Sequence, residues 1–132
     1  MSRKPVDAGS LKVGSYVIID EAPCKVVEVE KSKTGKHGSA KARIVAIGLF
    51  DHVKRSIVVP VDQKVEQPVI EKKAAQVIAL TPSSVQLMDL STYEVFELPK
   101  SDVEPELLGK LSPGVEVETW IVLGYRKLVR VK

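Results

Sequence analysis

The chain has 132 residues, a formal net charge of +3 and one cysteine. That length permits one ordinary domain or two small ones, and a lone cysteine excludes an internal disulfide, as expected of a cytoplasmic protein. No apolar run approaches the roughly 20 residues that a membrane-spanning helix needs, and MSRKPVDAGS, basic at its start with no apolar stretch after it, is not a signal peptide.

Taken in chain order, the dominant periodicity is two. SYVIID (15–20), CKVVEVEK (24–31), ARIVAIGLF (42–50), SIVVPV (56–61) and VEQPVI (65–70) are short, rich in β-branched residues and bounded by turn residues. EAP (21–23) and DHVK (51–54) read as tight hairpin connections. Pro60 and Pro68 cannot donate to a ladder, so their runs end at edges or bends. Five such strands without a long helix predict a small barrel. A second series follows: AAQVIALT (74–81), SVQLMDL (84–90), YEVFELP (93–99), VEVETWIVL (115–123) and YRKLVRVK (125–132). Gly124 falls in the last hairpin. Between the third and fourth of these strands, SDVEPELLGK (101–110) reads as a short helix, with Ser101 or Asp102 as its cap and Gly109 closing it. Three strands, a short helix and two strands fit an OB-like barrel. The whole is all-β, two tandem small barrels, joined near EQPVIEKKA.

Charge is uneven. Residues 1–70 carry 12 basic and 8 acidic side chains, and residues 71–132 carry 8 basic and 9 acidic. The positive field gathers in KSKTGKHGSAKAR (31–43), which holds five Lys or Arg and no acid. A localised basic tip suits a phosphate backbone; a charged hairpin kept for solubility has the same composition.

Several chemistries fail on this loop. Gly35-Lys36 resembles the end of a phosphate-cradling loop, but Glu30 stands where the earlier glycine belongs and His37 where Ser or Thr should hold magnesium. Gly35-Lys36-His37-Gly38 is formally a G-x-x-G clamp, yet strands rather than helices flank it. His37 and His52 lie on different loops and Cys24 has no neighbouring ligand, so no metal set forms. Cys24 alternates with Val26 as a buried strand residue does, and His52 reads as a turn residue. Glu28, Glu30 and Glu66 read as outward strand positions. Hydrolysis with His37 as base has no partner residue. Tyr93, Phe96 and Trp120 could stack bases on the second barrel, but Tyr93 and Phe96 lie three apart, so a regular strand turns one of them inward. Two readings of the tip stay open. Gly35 and Gly38 clear the space around Lys36 for a macromolecule to approach, or they serve turn geometry alone.

SKTGKHGSAKARI (32–44), with PCKVVEVEKSK before it, GLFDHVKRS after it and Q-P-V-I at 67–70, resembles the translation initiation factor 5A family, the hypusine-containing proteins. Ser39 stands where eukaryotic members usually have His, and their acidic N-terminal lead is missing; both features look archaeal. The resemblance implies an SH3-like barrel over 1–70, carrying the modification loop, and an OB-fold over 71–132. It implies that deoxyhypusine synthase, using NAD, transfers an aminobutyl group from spermidine to Lys36, which many members then hydroxylate. Lys33, Thr34, Gly35, His37, Gly38, Lys41 and Arg43 match positions implied to serve enzyme recognition or RNA contact. The implied partners are the ribosome at its E site and the P-site tRNA, with no membrane and no small-molecule substrate. The implied role is non-enzymatic: hypusine-bearing Lys36 stabilises the tRNA for slow peptide bonds such as consecutive prolines, and no cofactor beyond that modification is required. The alternative is an unmodified RNA-binding module acting through the OB-fold face.

Overall fold

The computed structural model describes residues 3–33 and 40–132. They form eleven strands, one short α-helix and two 3-10 turns, divided into two compact units, Met1–Val69 and Ile70–Lys132. Both units are curled β-sheets, so the chain is all-β, an SH3-like barrel followed by an OB-fold.

In the first unit, β1 (Arg3–Asp7) pairs with β6 (Lys64–Pro68), and a four-stranded antiparallel sheet runs β2 (Tyr16–Ile19), β3 (Ala22–Lys33), β4 (Ala40–Gly48), β5 (Lys54–Pro60). The sequence predicts five strands here and the structure has six. The missed strand is β1, whose RKPVD carries little alternation. It is held by its register with β6 and by Arg3, which bonds Glu66 at 3.1 Å and also Glu21. Inward residues Val17, Ile19, Cys24, Val26, Ala42, Ile44 and Ala46 meet Ala8 and Leu11 in one core. Each Val or Ile so buried contributes about 1.5–3 kcal/mol relative to exposure. The first hairpin turns at Asp20 and Glu21, both with positive φ (53° and 63°), one residue earlier than EAP suggests. Such a two-residue turn normally recruits Asn or Gly; here the Arg3 contact to Glu21 helps hold it. Gly9 is required where it stands, because a Cβ would lie 2.9 Å from that of Val61.

The second unit is one sheet ordered β11 (Tyr125–Val131), β10 (Glu116–Val122), β7 (Ile70–Leu80), β8 (Ser84–Asp89), β9 (Val95–Pro99). Ile70, which the sequence reading leaves in the first domain, opens β7 and pairs with Val122. The connection between β9 and β10 contains a 3-10 turn, Lys100–Asp102, and the helix α1 (Pro105–Leu108). Ser101 and Asp102 are therefore not its cap. Glu104 takes that place without a side-chain capping hydrogen bond, and Pro105, with φ preset for helix, starts it. Gly109 closes it as expected, though with a helical φ of −66°. Leu107 and Leu108 pack on a core of Val77, Val85, Leu87, Leu98, Val117 and Leu128. Edge strands β9 and β11 are drawn together by Arg126, whose guanidinium lies 4.1 Å from the Phe96 ring and bonds Glu94.

Candidate functional site

The β3–β4 hairpin organises the basic region. Below Val26 the strands pair in one register, Val26 opposite Ala46; above it, Glu28 faces Val45 and Glu30 faces Arg43. The extra residue in this β-bulge, Val27, points outward and is 42% exposed. Had the register below Val26 continued, Arg43 would face Val29. The shift places two carboxylates beside the guanidinium, Glu28 at 3.5 Å and Glu30 at 3.7 Å. Arg43, one of the expected contact residues, is thus tied to the hairpin's own acids.

Beyond Arg43, every cross-strand pair sets a lysine against a small residue or a hydroxyl: Lys31 opposite Ala42, Ser32 opposite Lys41, Lys33 opposite Ala40. Lys31, Lys33 and Lys41 are exposed, and none makes an ion pair with a described residue. Of the residues predicted for this site, Thr34, Gly35, Lys36, His37 and Gly38 lie outside the described residues, as does Ser39. Lys33 and Lys41 are brought together at the hairpin's described end. Lys31 was not singled out in the sequence, because it precedes the motif; its place follows from the register alone. It also lines an open cleft of about 460 Å³ with Asp7, Ser10, Ala40, Val61 and Asp62.

At the opposite end of the hairpin, Arg55 grips Asp51 through two bonds of 2.8 and 3.2 Å. That grip, aided by the Val53 amide, holds the Asp51 carboxyl at about 2. Gly48 makes room for it, since a Cβ would fall 1.9 Å from Asp51 Oδ1. His52 sits in the same turn with φ 57°, as a turn residue does. Cys24 is buried, its thiol donating to the Ala22 carbonyl at 3.3 Å, and burial pushes its pKa up. That is a strand residue of the core rather than a nucleophile. Among the described residues no cluster of His, Cys, Asp or Glu could hold a metal ion. No helix there is long and apolar enough to cross a membrane.

The three rings proposed for stacking do not form a platform. Phe96 packs on the second core beneath Arg126. Trp120, half-buried on β10, donates from Nε1 to Glu118 at 2.9 Å, with Lys72 Nζ 5.4 Å from its ring. Tyr93 stands 70% exposed, before β9 begins. The outward face of β8 and β9 presents Ser84, Gln86, Met88, Val95, Glu97 and Pro99, with neither an aromatic ring nor a cation.

These features define a class: a two-domain β-barrel protein that raises a basic hairpin from its first barrel and follows it with an OB-fold. Residues 2–63 match the family described as translation initiation factor 5A-like, N-terminal, and residues 69–132 match eukaryotic elongation factor 5A hypusine, DNA-binding OB fold. Translation initiation factor 5A of Caldivirga maquilingensis is 62% identical over 132 residues, covering 100% of both chains. That of Thermofilum pendens is 61% identical, covering 100% of this chain and 99% of its own. The solved structure of eukaryotic translation initiation factor 5A from Methanococcus jannaschii superposes with a TM-score of 0.90 at 49% identity, over 99% of this chain and 96% of that one. A Naegleria fowleri translation initiation factor eif-5a family protein gives 0.78 at 31% identity, over 100% and 99%. The chain belongs to the translation initiation factor 5A family.

Proposed function

We propose that this chain acts on the ribosome, where Lys36, converted to hypusine by deoxyhypusine synthase with spermidine as donor, reaches from the E site toward the P-site tRNA. The observation that carries this reading is the hairpin root. Its three exposed lysines lack carboxylate partners among the described residues, and the chain places TGKHGS (34–39) directly beyond them. An unneutralised cationic arm suits entry into a phosphate-lined space. Hypusine gives Lys36 added length and a second amine, so it can meet backbone phosphates and 2′-hydroxyls of the tRNA. Holding a reactive geometry lowers the entropic part of the barrier. The chemistry itself belongs to the ribosome, so this chain needs no catalytic residue and no cofactor beyond the modification. The effect is largest at slow bonds such as consecutive prolines, and the factor works in the cytoplasm.

Peptide mapping of residues 31–43 on protein from its own source tests the first step: Lys36 should carry an added aminobutyl group, with or without one oxygen. A fully bare Lys36 would sink the proposal. In a polyproline translation assay, Lys36→Arg should remove stimulation while the fold and charge are kept. Undiminished rescue by that variant would refute the role assigned to the side chain.

A further inference from the structure

The register of the hairpin root sorts its cations onto two faces. Directly opposed residues of an antiparallel pair share a face, and successive residues alternate. Lys31 and Lys33, with Ala42 and Ala40, therefore lie on the inner face, which continues into the core through Val29 and Ile44. Lys41, with Ser32, lies on the outer face, in line with Arg43 and Glu30. Each lysine faces a partner too short to contest its stem.

Neutralisation follows the same division. On the outer face, Arg43 draws Glu28 and Glu30 to itself, and Lys41 stays free of ion pairs with described residues. On the inner face, Asp7 is taken by Lys64 at 2.6 Å, and no carboxylate comes within ion-pair distance of Lys31 or Lys33 among the described residues. Both faces of the root thus keep a cation available at the same height of the hairpin.

We infer that the root of this hairpin is a two-faced phosphate clamp: it enters between two RNA backbones, Lys33 with Lys31 meeting one and Lys41 the other. The partner it fits is folded RNA that presents two backbones across a gap, and not a single strand laid along one face. Arg43 is a positioning residue that holds Glu28 and Glu30 away from Lys41. This inference rests on the reading that the hairpin works against RNA, and it adds the kind of RNA and the division of labour among the lysines.

The test uses the full-length, unmodified protein, so that Lys36 is the same in every variant. A labelled tRNA and a labelled short single strand serve as probes, with affinities measured across a range of salt. Each phosphate neutralised contributes about 0.9 to the slope of log K against log salt for duplex and about 0.7 for single strands. With tRNA, Lys33→Ala and Lys41→Ala should each flatten the slope by about 0.9, and the double variant by about the total of the two. With the single strand, one of the two substitutions should leave the slope unchanged. Arg43→Gln should weaken tRNA binding, and adding Glu28→Gln and Glu30→Gln should restore the wild-type slope. All these side chains are exposed, so unchanged thermal midpoints establish that the variants are folded.

A silent Lys33→Ala or Lys41→Ala with tRNA would overturn the clamp, as would equal effects of both on tRNA and on the single strand. A wild-type protein that does not bind tRNA would also overturn it. These outcomes are separate from the fate of Lys36: a bare Lys36 in native protein would end the hypusine reading and leave the slopes as measured.

Discussion

The two units differ in where their unpaired cations gather. In the second, five cations reach neighbouring acids: Lys73 to Asp89 and Glu71, Arg126 to Glu94, Lys127 to Glu104, Arg130 to Glu118 and Lys132 to Glu116. Lys72, Lys100 and Lys110, which have no ion pair with a described residue, lie in separate segments of it. In the first, three lysines at the hairpin root have no such partner among the described residues, although Glu28 and Glu30 are close enough to bond Arg43. Scattered cations make no patch; three gathered on one hairpin remain available to another molecule. A field of that kind raises encounter rates and affinity for polyanions while contributing little to folding.

The largest stability effect expected from this difference is at Asp89. Its buried carboxylate accepts from the Ser91 amide at 2.8 Å, the Ser91 hydroxyl at 2.7 Å and the Thr92 amide at 3.1 Å, with Lys73 at 3.7 Å. Asp89→Ala leaves those donors unsatisfied and should cost about 2–3 kcal/mol, read as a lowered urea midpoint. A loss below about 0.5 kcal/mol, the scale of a surface substitution, would show that this charge is not holding the turn.

Acid should act on the same groups. The Ser91 hydroxyl and the flanking amides hold the Asp89 carboxyl at about 2, and Arg55 holds Asp51 there as well. An unfolded Asp titrates near 3.9, so the unfolded chain takes up these protons first as the pH falls. Their contribution is fully present above about pH 4 and is lost as the pH drops through about 2. Thermal midpoints followed across that window should decline. Asp89→Asn should decline less steeply than wild type, and identical curves would remove Asp89 from the account.

A smaller effect is expected at Arg126, which joins the two edge strands of the second sheet through Phe96 and Glu94. One of its nitrogens, Nη1, is buried with no acceptor among the described residues, which offsets part of the gain. Arg126→Ala should cost about 1 kcal/mol and weaken hydrogen-exchange protection in β9 before β7. Uniform loss of protection would mean that the residue does not close the barrel. The smallest change belongs to the hairpin root. Lys33→Ala and Lys41→Ala together should move stability by no more than about 0.5 kcal/mol, because neither lysine holds the fold. A larger loss in chemical denaturation would erase the contrast between the two units.

Most of the strands were legible in the sequence because the constraint that forms them is local. Alternation in SYVIID and SVQLMDL buries every second residue, and a one-residue slip would turn each set to water; ARIVAIGLF keeps the period as far as Ile44 and VEVETWIVL as far as Thr119. The inward choice between Tyr93 and Phe96 was legible as a choice, and the structure made it by placing Phe96 beneath Arg126. The positive-φ pair Asp20 and Glu21 was not legible, since Glu does not favour that conformation and the supporting Arg3 arrives from another strand. Ser101 and Asp102 looked like caps because cap chemistry is local, but Pro105 set where the helix could begin.

By itself, then, the sequence determined an all-β chain, the position of its basic loop and the motif around Lys36, since period, composition and order along the chain are sequence properties. Tertiary structure decided which cations the loop keeps. A single bulge at Val27 shifts the register, sets Arg43 beside Glu28 and Glu30, and leaves Lys31 and Lys33 on one face and Lys41 on the other. Register is a relation between strands, and it is fixed by packing both strands onto one core.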